Sequence, residues 1–256
     1  MKRIALLITL LLMITSSAFS EKPNGKDYSA MSLDELNIIR NELINELTLV
    51  DNARQTKIDS TYTYGNVLGT IKELFPDENF AIGVKNSCGK TSVNDEVTQD
   101  DLDKIYAMAT LVPGRINDLT GISLLRNCSY FDFVYEGTTL PDEMQYAYWI
   151  EHLEIGNPFA PIPLSIVPEW IGNLTKLTWL DIENSQISEL PDTICNLYQL
   201  EHLNVANTGI SELPSNIGNM TSLKHLDISY TKITALPDSI HNLNLTTINM
   251  SGLPLT

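Results

Sequence analysis

The chain has 256 residues, 43% of them hydrophobic, which suffices for a folded unit larger than a minimal domain. It carries 32 acidic and 16 basic residues, a formal net charge of −16 at pH 7. Because a surface this negative repels phosphate backbones, we expect no nucleic-acid partner. The three cysteines do not make the even set that a disulfide framework requires.

The N-terminal segment is typical of a secretory signal peptide. Lys2 and Arg3 precede an apolar run over residues 4–14, and small residues follow up to Ser20. The run is too short to span a bilayer. We therefore predict a signal peptide over residues 1–20, a secreted or periplasmic product, and no membrane span after cleavage. A retained membrane anchor is the alternative.

A polar leader and an amphipathic helix are predicted next. Residues 21–31 are polar and predict a flexible leader. An N-terminal helical region is predicted over residues 32–74, where Ser32 and Glu35 form a capping-box pattern. Apolar residues then recur at helical spacing, at Leu36, Ile39, Leu43, Leu47 and Val50. We expect this helix to pack on its own domain; docking a partner is the alternative.

Two further helix starts follow. Pro76, Asp77 and Glu78 are typical of a first helical turn, where acidic residues face the positive helix end. Thr98 and Asp101 form a second capping-box pattern.

The last third of the chain repeats one phrase. From residue 178, TWLDIENSQISELPDTICNLYQL is followed by two similar copies, the first 23 and the second 22 residues long. In each copy apolar residues alternate with polar ones, as in a strand with one buried face, and a bend containing proline follows. No single copy can cover its own apolar edge, so the copies must stack.

These copies resemble leucine-rich repeats of the L-x-x-L-x-L kind followed by L-P-x-x-I-x-x-L. The order FPDEN…EVTQDDLDKI…INDLTGI resembles the entry region of secreted bacterial leucine-rich repeat proteins of the internalin type. The resemblance implies an α/β fold, namely a right-handed leucine-rich repeat solenoid with a helical N-terminal cap. The cap would cover residues 75–104 and the repeats residues 105–256.

Counted back from the regular copies, this resemblance gives seven repeats, the last incomplete. The predicted first strand positions are Met108, Phe131, Leu153, Leu180, Leu203, Leu226 and Ile248. One gap, from Leu153 to Leu180, is 27 residues instead of 22 or 23, and it contains the proline-rich segment GNPFAPIPLSI. We therefore predict a loop insertion there.

The chain differs from the usual leucine-rich repeat pattern at one position. Most such repeats have an asparagine there, whose side chain hydrogen-bonds to the backbone of neighbouring turns. The regular copies have Ser185, Thr208 and Thr231 there, and the early copies have Glu136 or Pro158. Because hydroxyls still bond to backbone groups, we expect the fold to survive and the early copies to be less regular.

Two cysteines fall within the repeats, and Cys88 precedes them. Cys128 occupies a position where the repeat expects a buried leucine, so we expect a small core residue. Cys195 falls on the outer turn and is expected to be a free thiol.

The outward-pointing residues of stacked strands predict a binding surface on the concave face. One column contains Tyr130, His152, Trp179, His202, His225 and Thr247. A second contains Asp132, Glu154, Asp181, Asn204, Asp227 and Asn249. A third contains Tyr135, Asn157, Asn184, Asn207 and Tyr230. The candidate ligand-binding residues are Tyr130, Asp132, His152, Glu154, Trp179, Asp181, His202, Asn204, His225, Asp227 and Tyr230.

Aromatic residues on an exposed face are enriched at protein-binding surfaces. We therefore predict a secreted, non-enzymatic protein that binds a protein or peptide on this face. The alternatives are a glycan or cell-wall binder that uses Trp179 and the carboxylates, and an inert histidine column copied with the repeats. No catalytic motif, cofactor or metal site is predicted, although His202, His225 and Asp227 have spacing compatible with a metal.

The sequence shows no terminal cap after Met250. Solenoids normally need one, so the last copy is expected to fray or to pair with another chain. This predicts mobility from about residue 244 and a weak tendency toward end-to-end self-association.

Overall fold

The computed structural model describes residues 65–109, 114–156 and 159–255. The predicted signal peptide, the leader and the helix predicted from Ser32 lie outside these residues. So do Asn157 and Pro158 of the inserted loop.

The first described elements form a small antiparallel sheet with three short helices. They are β1 (Val67–Thr70), α1 (Ile71–Leu74), α2 (Glu78–Ser87), β2 (Glu96–Thr98) and α3 (Gln99–Leu102). β1 pairs with β2, so the folded unit that contains α2 and α3 begins before residue 75.

Capping side chains fix where these helices start. Asp77 is the N-cap of α2 and accepts a hydrogen bond from the Phe80 amide at 3.0 Å. Pro76 therefore precedes the helix instead of lying in its first turn. The capping box predicted at Thr98 and Asp101 is present at the start of α3. Each cap satisfies amide groups that have no partner within the helix.

This N-terminal unit packs on the edge of the first repeat. Phe75, Phe80 and Leu102 are fully buried in one apolar core that continues into Met108. The Asp77 carboxylate also accepts a hydrogen bond from the backbone amide of the first repeat at residue 117, at 2.8 Å. The unit therefore covers the apolar edge that the first strand would otherwise expose.

Seven short strands form one parallel sheet in which the spatial order follows the chain order. They are β3 (Ala107–Met108), β4 (Tyr130–Asp132), β5 (His152–Glu154), β6 (Trp179–Asp181), β7 (His202–Asn204), β8 (His225–Asp227) and β9 (Thr247–Asn249). Their central residues pair in register, as with Leu180, Leu203 and Leu226. The predicted strand positions and the leucine-rich repeat solenoid are confirmed.

The chain returns between strands through 3₁₀ helices. They span Ile122–Leu124, Asp142–Tyr146, Glu169–Asn173, Asp192–Asn196, Ile217–Asn219 and Asp238–Asn242. Four of them start after a proline, which is suited to this position because its fixed φ matches the extended N-cap. Isoleucines such as Ile171 and Ile194 point from these turns onto the buried face of the sheet. One core therefore lies between the strands and the 3₁₀ layer.

The hydroxyl residues at the usual asparagine position are buried, and the two threonines bond within their own copy. Thr208 donates to the carbonyl of Val205 and Thr231 to that of Ile228, each at 2.8 Å. The hydroxyl of Ser185 has no partner among the described residues. The threonine hydroxyls therefore stabilise the turn of one repeat and do not connect neighbouring repeats.

Both repeat cysteines are in the core. Cys128 is fully buried, as predicted, and burial raises the pKa of its thiol to about 12. Cys195 lies on the outer 3₁₀ turn and is free, but it is only 3% exposed because its side chain points inward. Burial raises the pKa of the Cys195 thiol to about 12 as well, so it is an inert packing residue.

Candidate functional site

The first predicted column forms a continuous stack of rings across β4–β8. Tyr130 stacks on His152 with ring centroids 4.0 Å apart, and His152 stacks on Trp179 at 5.1 Å. Trp179 stacks on His202 at 3.6 Å with an interplanar angle of 3°. His202 and His225 follow at 5.9 Å, tilted by 38°. We call these five residues the ring ladder.

The ring ladder exists because the repeats are in register. Each ring occupies the first position of its strand, and these positions pair directly from Tyr130 to His225. Adjacent strands lie about 4.8 Å apart, a spacing at which flat side chains on neighbouring strands stack. The imidazole of His225 ends the series against Thr247, with Nδ1 and Oγ1 2.8 Å apart.

The stacking decides which part of each ring a ligand can reach. Both faces of Trp179 are covered, one by His152 and the other by His202. The ring edges, not the faces, therefore form the accessible part of the ladder. The indole Nε1 of Trp179 is buried and has no hydrogen-bond partner among the described residues, so this atom is not part of the accessible edge.

The second column places carboxylates beside the ladder. We call Asp132, Glu154, Asp181 and Asp227 the acidic row. The first three pair in register on successive strands, and Asn204 separates Asp181 from Asp227.

Asparagines satisfy part of the acidic row. The Nδ2 of Asn204 donates to Asp181 Oδ2 at 2.7 Å and to Glu183 Oε2 at 3.1 Å. In the same way Asn249 donates to Asp227 Oδ2 at 2.9 Å. These bonds orient the carboxylates but add no positive charge.

Burial raises the pKa of three of these carboxyl groups, those of Asp132, Glu154 and Asp181. Burial, followed by repulsion from neighbouring carboxylates, raises the pKa of Glu154 to about 7. Burial also raises the pKa of Asp181 to about 6, although hydrogen bonds from the Glu183 amide and from Asn204 oppose the shift. The pKa of Asp132 is raised by burial. Glu154 and Asp181 therefore change their charge near neutral pH.

Two histidines of the ladder, His152 and His202, have lowered pKa values, which favours their neutral forms beside the acidic row. Burial, aided by the nearby His202, lowers the pKa of His152 to about 4. Burial and then His225 lower the pKa of His202. His152 Nε2 lies 3.4 Å from Glu154 Oε2, but at pH 7 this contact joins a neutral imidazole to a partly protonated carboxyl group.

The third predicted column is a row of turn residues, and one member does not belong to it. Asn184, Asn207 and Tyr230 have φ angles of 53°, 53° and 54°, because the chain reverses there in the left-handed region. Asn207 donates to the side chain of Asn184, and Tyr230 is 65% exposed. The prediction was wrong for Tyr135, which is only 4% exposed because it pairs with the preceding repeat instead of making this turn.

Two residues near the face were missed by the sequence analysis. Glu183 follows Asp181 on the same edge of the sheet and accepts a bond from Asn204, but it lies beyond the predicted strand positions. Phe159 is 95% exposed in the inserted loop after β5. The 27-residue gap located that loop, and an aromatic residue in an insertion was a signal that could have been used.

Across residues 65–109, 114–156 and 159–255, no group of three or more histidine, cysteine, aspartate or glutamate side chains is arranged to hold a metal ion. In the same part of the chain, no helix has the length and apolar character needed to cross a membrane.

Comparison with protein families gives matches over three segments. The internalin family described as bacterial adhesion/invasion protein N terminal matches residues 59–103. A leucine-rich repeat region family matches residues 193–250, and a single leucine-rich repeat family matches residues 176–197. A search of curated proteins gives no match.

Solved structures from Listeria monocytogenes have a similar fold. The internalin-like protein lmo2027 is 25% identical, with a TM-score of 0.58 over 73% of this chain and 58% of that one. The secreted internalin-like protein Lmo2445 is 23% identical, with a TM-score of 0.53 over 72% and 66%. The functional domain of InlJ is 21% identical, with a TM-score of 0.53 over 76% and 45%. This chain thus spans less than two thirds of each of these three structures. Together with the family matches, the fold makes this chain similar to internalin-like leucine-rich repeat proteins.

Proposed function

We propose that the protein is a non-enzymatic binding module that recognises a protein or peptide on the concave strand face, centred on Trp179, His202 and Asp181. The ring ladder is the observation that carries this proposal. Proteins with this fold are generally protein-interaction modules, and large rigid aromatic side chains dominate the energetics of such interfaces.

The geometry of the ladder favours a protein ligand over a glycan. Sugar rings bind aromatic side chains through the ring faces, and both faces of Trp179 are already occupied by His152 and His202. The ring edges of aromatic side chains carry partial positive charge. A polypeptide offers carbonyl oxygens along its length to meet such an edge.

The ladder also limits the entropy that binding would cost. Side chains packed between neighbours have already lost their rotamer freedom in the free protein. A ligand therefore meets a surface that is pre-organised, and more of the contact energy appears as affinity.

To test the proposed function, the affinity of a purified partner is measured for two variants that each lack one tryptophan. Proteins retained by the immobilised full-length product would first be identified by mass spectrometry and then purified. We expect Trp179→Ala to weaken binding of that partner by about 2 kcal/mol or more, as for a central aromatic anchor. Trp170→Ala is the matched control, because Trp170 lies in the 3₁₀ helix Glu169–Asn173 on the opposite layer.

Two results would contradict this proposal. One is a partner whose binding is lost in Trp170→Ala but kept in Trp179→Ala. The other is displacement of the bound partner by soluble sugars, which would favour the glycan-binding alternative.

We also propose that the chain is exported. The support is the basic start, the short apolar run and the small residues that end at Ser20. N-terminal sequencing of the protein recovered outside the cytoplasm should begin at Glu21, whereas an intact Met1 on that protein would contradict cleavage.

A further inference from the structure

Among the described residues, no lysine or arginine forms an ion pair with the acidic row. The strands β3–β9 contain no lysine or arginine. The ion pairs of the described regions lie elsewhere, for example Arg115 with Glu136 and Lys224 with Glu201. His152 is the one imidazole in contact with the row, and it is neutral at pH 7.

In the described regions, Asp132 and Glu154 also receive no hydrogen bond from an asparagine that could stabilise their negative charge in place of a cation. Asp181 and Asp227 each accept a bond from an asparagine, as described above. Within the described part of the chain, the side chain of Glu154 has one polar partner, His152 at 3.4 Å, and the side chain of Asp132 forms no hydrogen bond. Asp132 and Glu154 are neighbours in register on β4 and β5. Carboxylates so placed repel each other, and a cation between them would remove that repulsion.

We propose that the ligand of the strand face is a basic segment of a protein, whose arginine or lysine side chains pair with the acidic row while its backbone lies along the ring ladder. This inference rests on the proposed function and names the chemistry of the partner. Complementary charge favours fast and selective encounter, and the net charge of −16 acts in the same direction.

The two columns suit such a segment together. Both run across the same strands, so a chain lying along them meets ring edges on one side and carboxylates on the other. The adjacent strands that carry Asp132, Glu154 and Asp181 lie about 4.8 Å apart, and the guanidinium group of arginine can bond to two carboxylate oxygens. The ladder would thus position the backbone, and the row would select for basic side chains.

Fluorescence anisotropy with a labelled peptide of alternating arginine and glycine tests the proposal, at fixed ionic strength. The test variant is Asp132→Asn combined with Glu154→Gln, which keeps the shape of both side chains and removes both carboxylates; the assay is run at pH 8, above the pKa of about 7 of Glu154. The matched control is Glu189→Gln combined with Glu212→Gln, because both side chains are exposed on loops away from the strands. A glutamate–glycine peptide is the probe control.

We expect the test variant to bind the arginine peptide about tenfold more weakly than the wild type, and the control variant to change by less than about twofold. Equal weakening in both variants would mean that net charge alone attracts the peptide, and it would overturn the proposal. So would an arginine peptide that does not bind, or one that binds the test variant as well as the wild type.

Folding of the test variant is checked by its melting temperature, which should rise because repulsion is removed. Failure of this inference is distinguishable from failure of the proposed function. A purified protein partner that depends on Trp179 but not on Asp132 and Glu154 leaves the proposed function standing and removes the basic segment. The reverse result is also possible: the arginine peptide depends on Asp132 and Glu154, but the protein partner binds Trp179→Ala as well as the wild type. That result would support the basic segment and contradict the role of Trp179 in the proposed function.

Discussion

The indole of Trp179 and the imidazole of His202 lie face to face, with ring centroids 3.6 Å apart and planes inclined by 3°. A second imidazole, that of His152, covers the other indole face at 5.1 Å. The aromatic residue at the centre of the proposed interface is therefore also a packing element of the folded chain.

This arrangement changes what is expected of Trp179→Ala. Because the substitution removes two stacked pairs, it should lower the free energy of unfolding by about 1–3 kcal/mol as well as weaken binding. Trp179→Phe keeps a flat ring and removes the indole N–H, so it should retain most of the stability. Chemical denaturation of both variants measures this difference. An unchanged stability in Trp179→Ala would mean that the ring stack contributes nothing to folding.

The register of the repeats is tested by a charge in the core. Leu203 is fully buried between Leu180 and Leu226, so Leu203→Asp would place a carboxylate where no partner exists. We expect a loss of several kcal/mol, enough to unfold the array, since burial of an unpaired charge is strongly unfavourable. Ser211→Asp adds the same charge at an exposed position and should melt like the wild type. Thermal melting followed by circular dichroism compares the two.

The raised pKa of Glu154 predicts how stability depends on pH. A carboxyl group with a folded pKa of about 7, against 4.5 as a model value, binds its proton more tightly in the folded state. It therefore stabilises the fold below about pH 4.5, and this contribution is lost as the pH rises to about 7. The melting temperature of Glu154→Gln should exceed that of the wild type by a margin that grows over this range.

Other titrating groups also change the melting temperature with pH, so each variant is compared with the wild type at the same pH. His152, whose pKa is lowered to about 4, acts in the opposite direction by losing stability as the pH falls, but it is present in both proteins. Glu189→Gln, at an exposed loop position, should differ from the wild type by a constant margin. If the difference in melting temperature between Glu154→Gln and the wild type did not change with pH, Glu154 would not be the group that binds the proton.

Close packing of the 3₁₀ layer gives a further test at Gly172. A Cβ atom at this position would lie 2.4 Å from the backbone carbonyl oxygen of Thr193 in the next repeat. Because a backbone oxygen cannot move aside without shifting the turn, Gly172→Ala should cost about 1–3 kcal/mol of stability. Asn173→Ala, at the exposed neighbouring position, should cost much less. Equal urea midpoints for the two variants would contradict the close approach.

The sequence predicted the regular part of the fold because the repeat period encodes it directly. A first-strand leucine recurring every 22 or 23 residues determines which residues pair across strands, and so it placed Trp179 beside His202 in one column. The same logic placed Asp132, Glu154 and Asp181 side by side. It failed at Tyr135, where the early repeat uses a different turn and the phenol ring enters the core.

Ring stacking, pKa values and the orientation of side chains depend on rotamers and on neighbouring residues, which the repeat period does not specify. The sequence indicated three histidines in a column, but not that stacking would cover both faces of Trp179. Nor did it indicate that burial would lower the pKa of His152 to about 4. The inward rotation of Cys195 was missed for the same reason.

Since each strand pairs only with the strands before and after it, the array is modular at the level of single copies. Removing residues 203–225, one 23-residue copy, would join His202 to Leu226 and leave the strand rhythm intact. The shortened chain would lose one histidine from its surface and would bring Asp227 next to Asp181 without the intervening Asn204. Loss or duplication of a gene segment of this length would therefore change the charge and span of the face in one step, while the fold that carries it is retained.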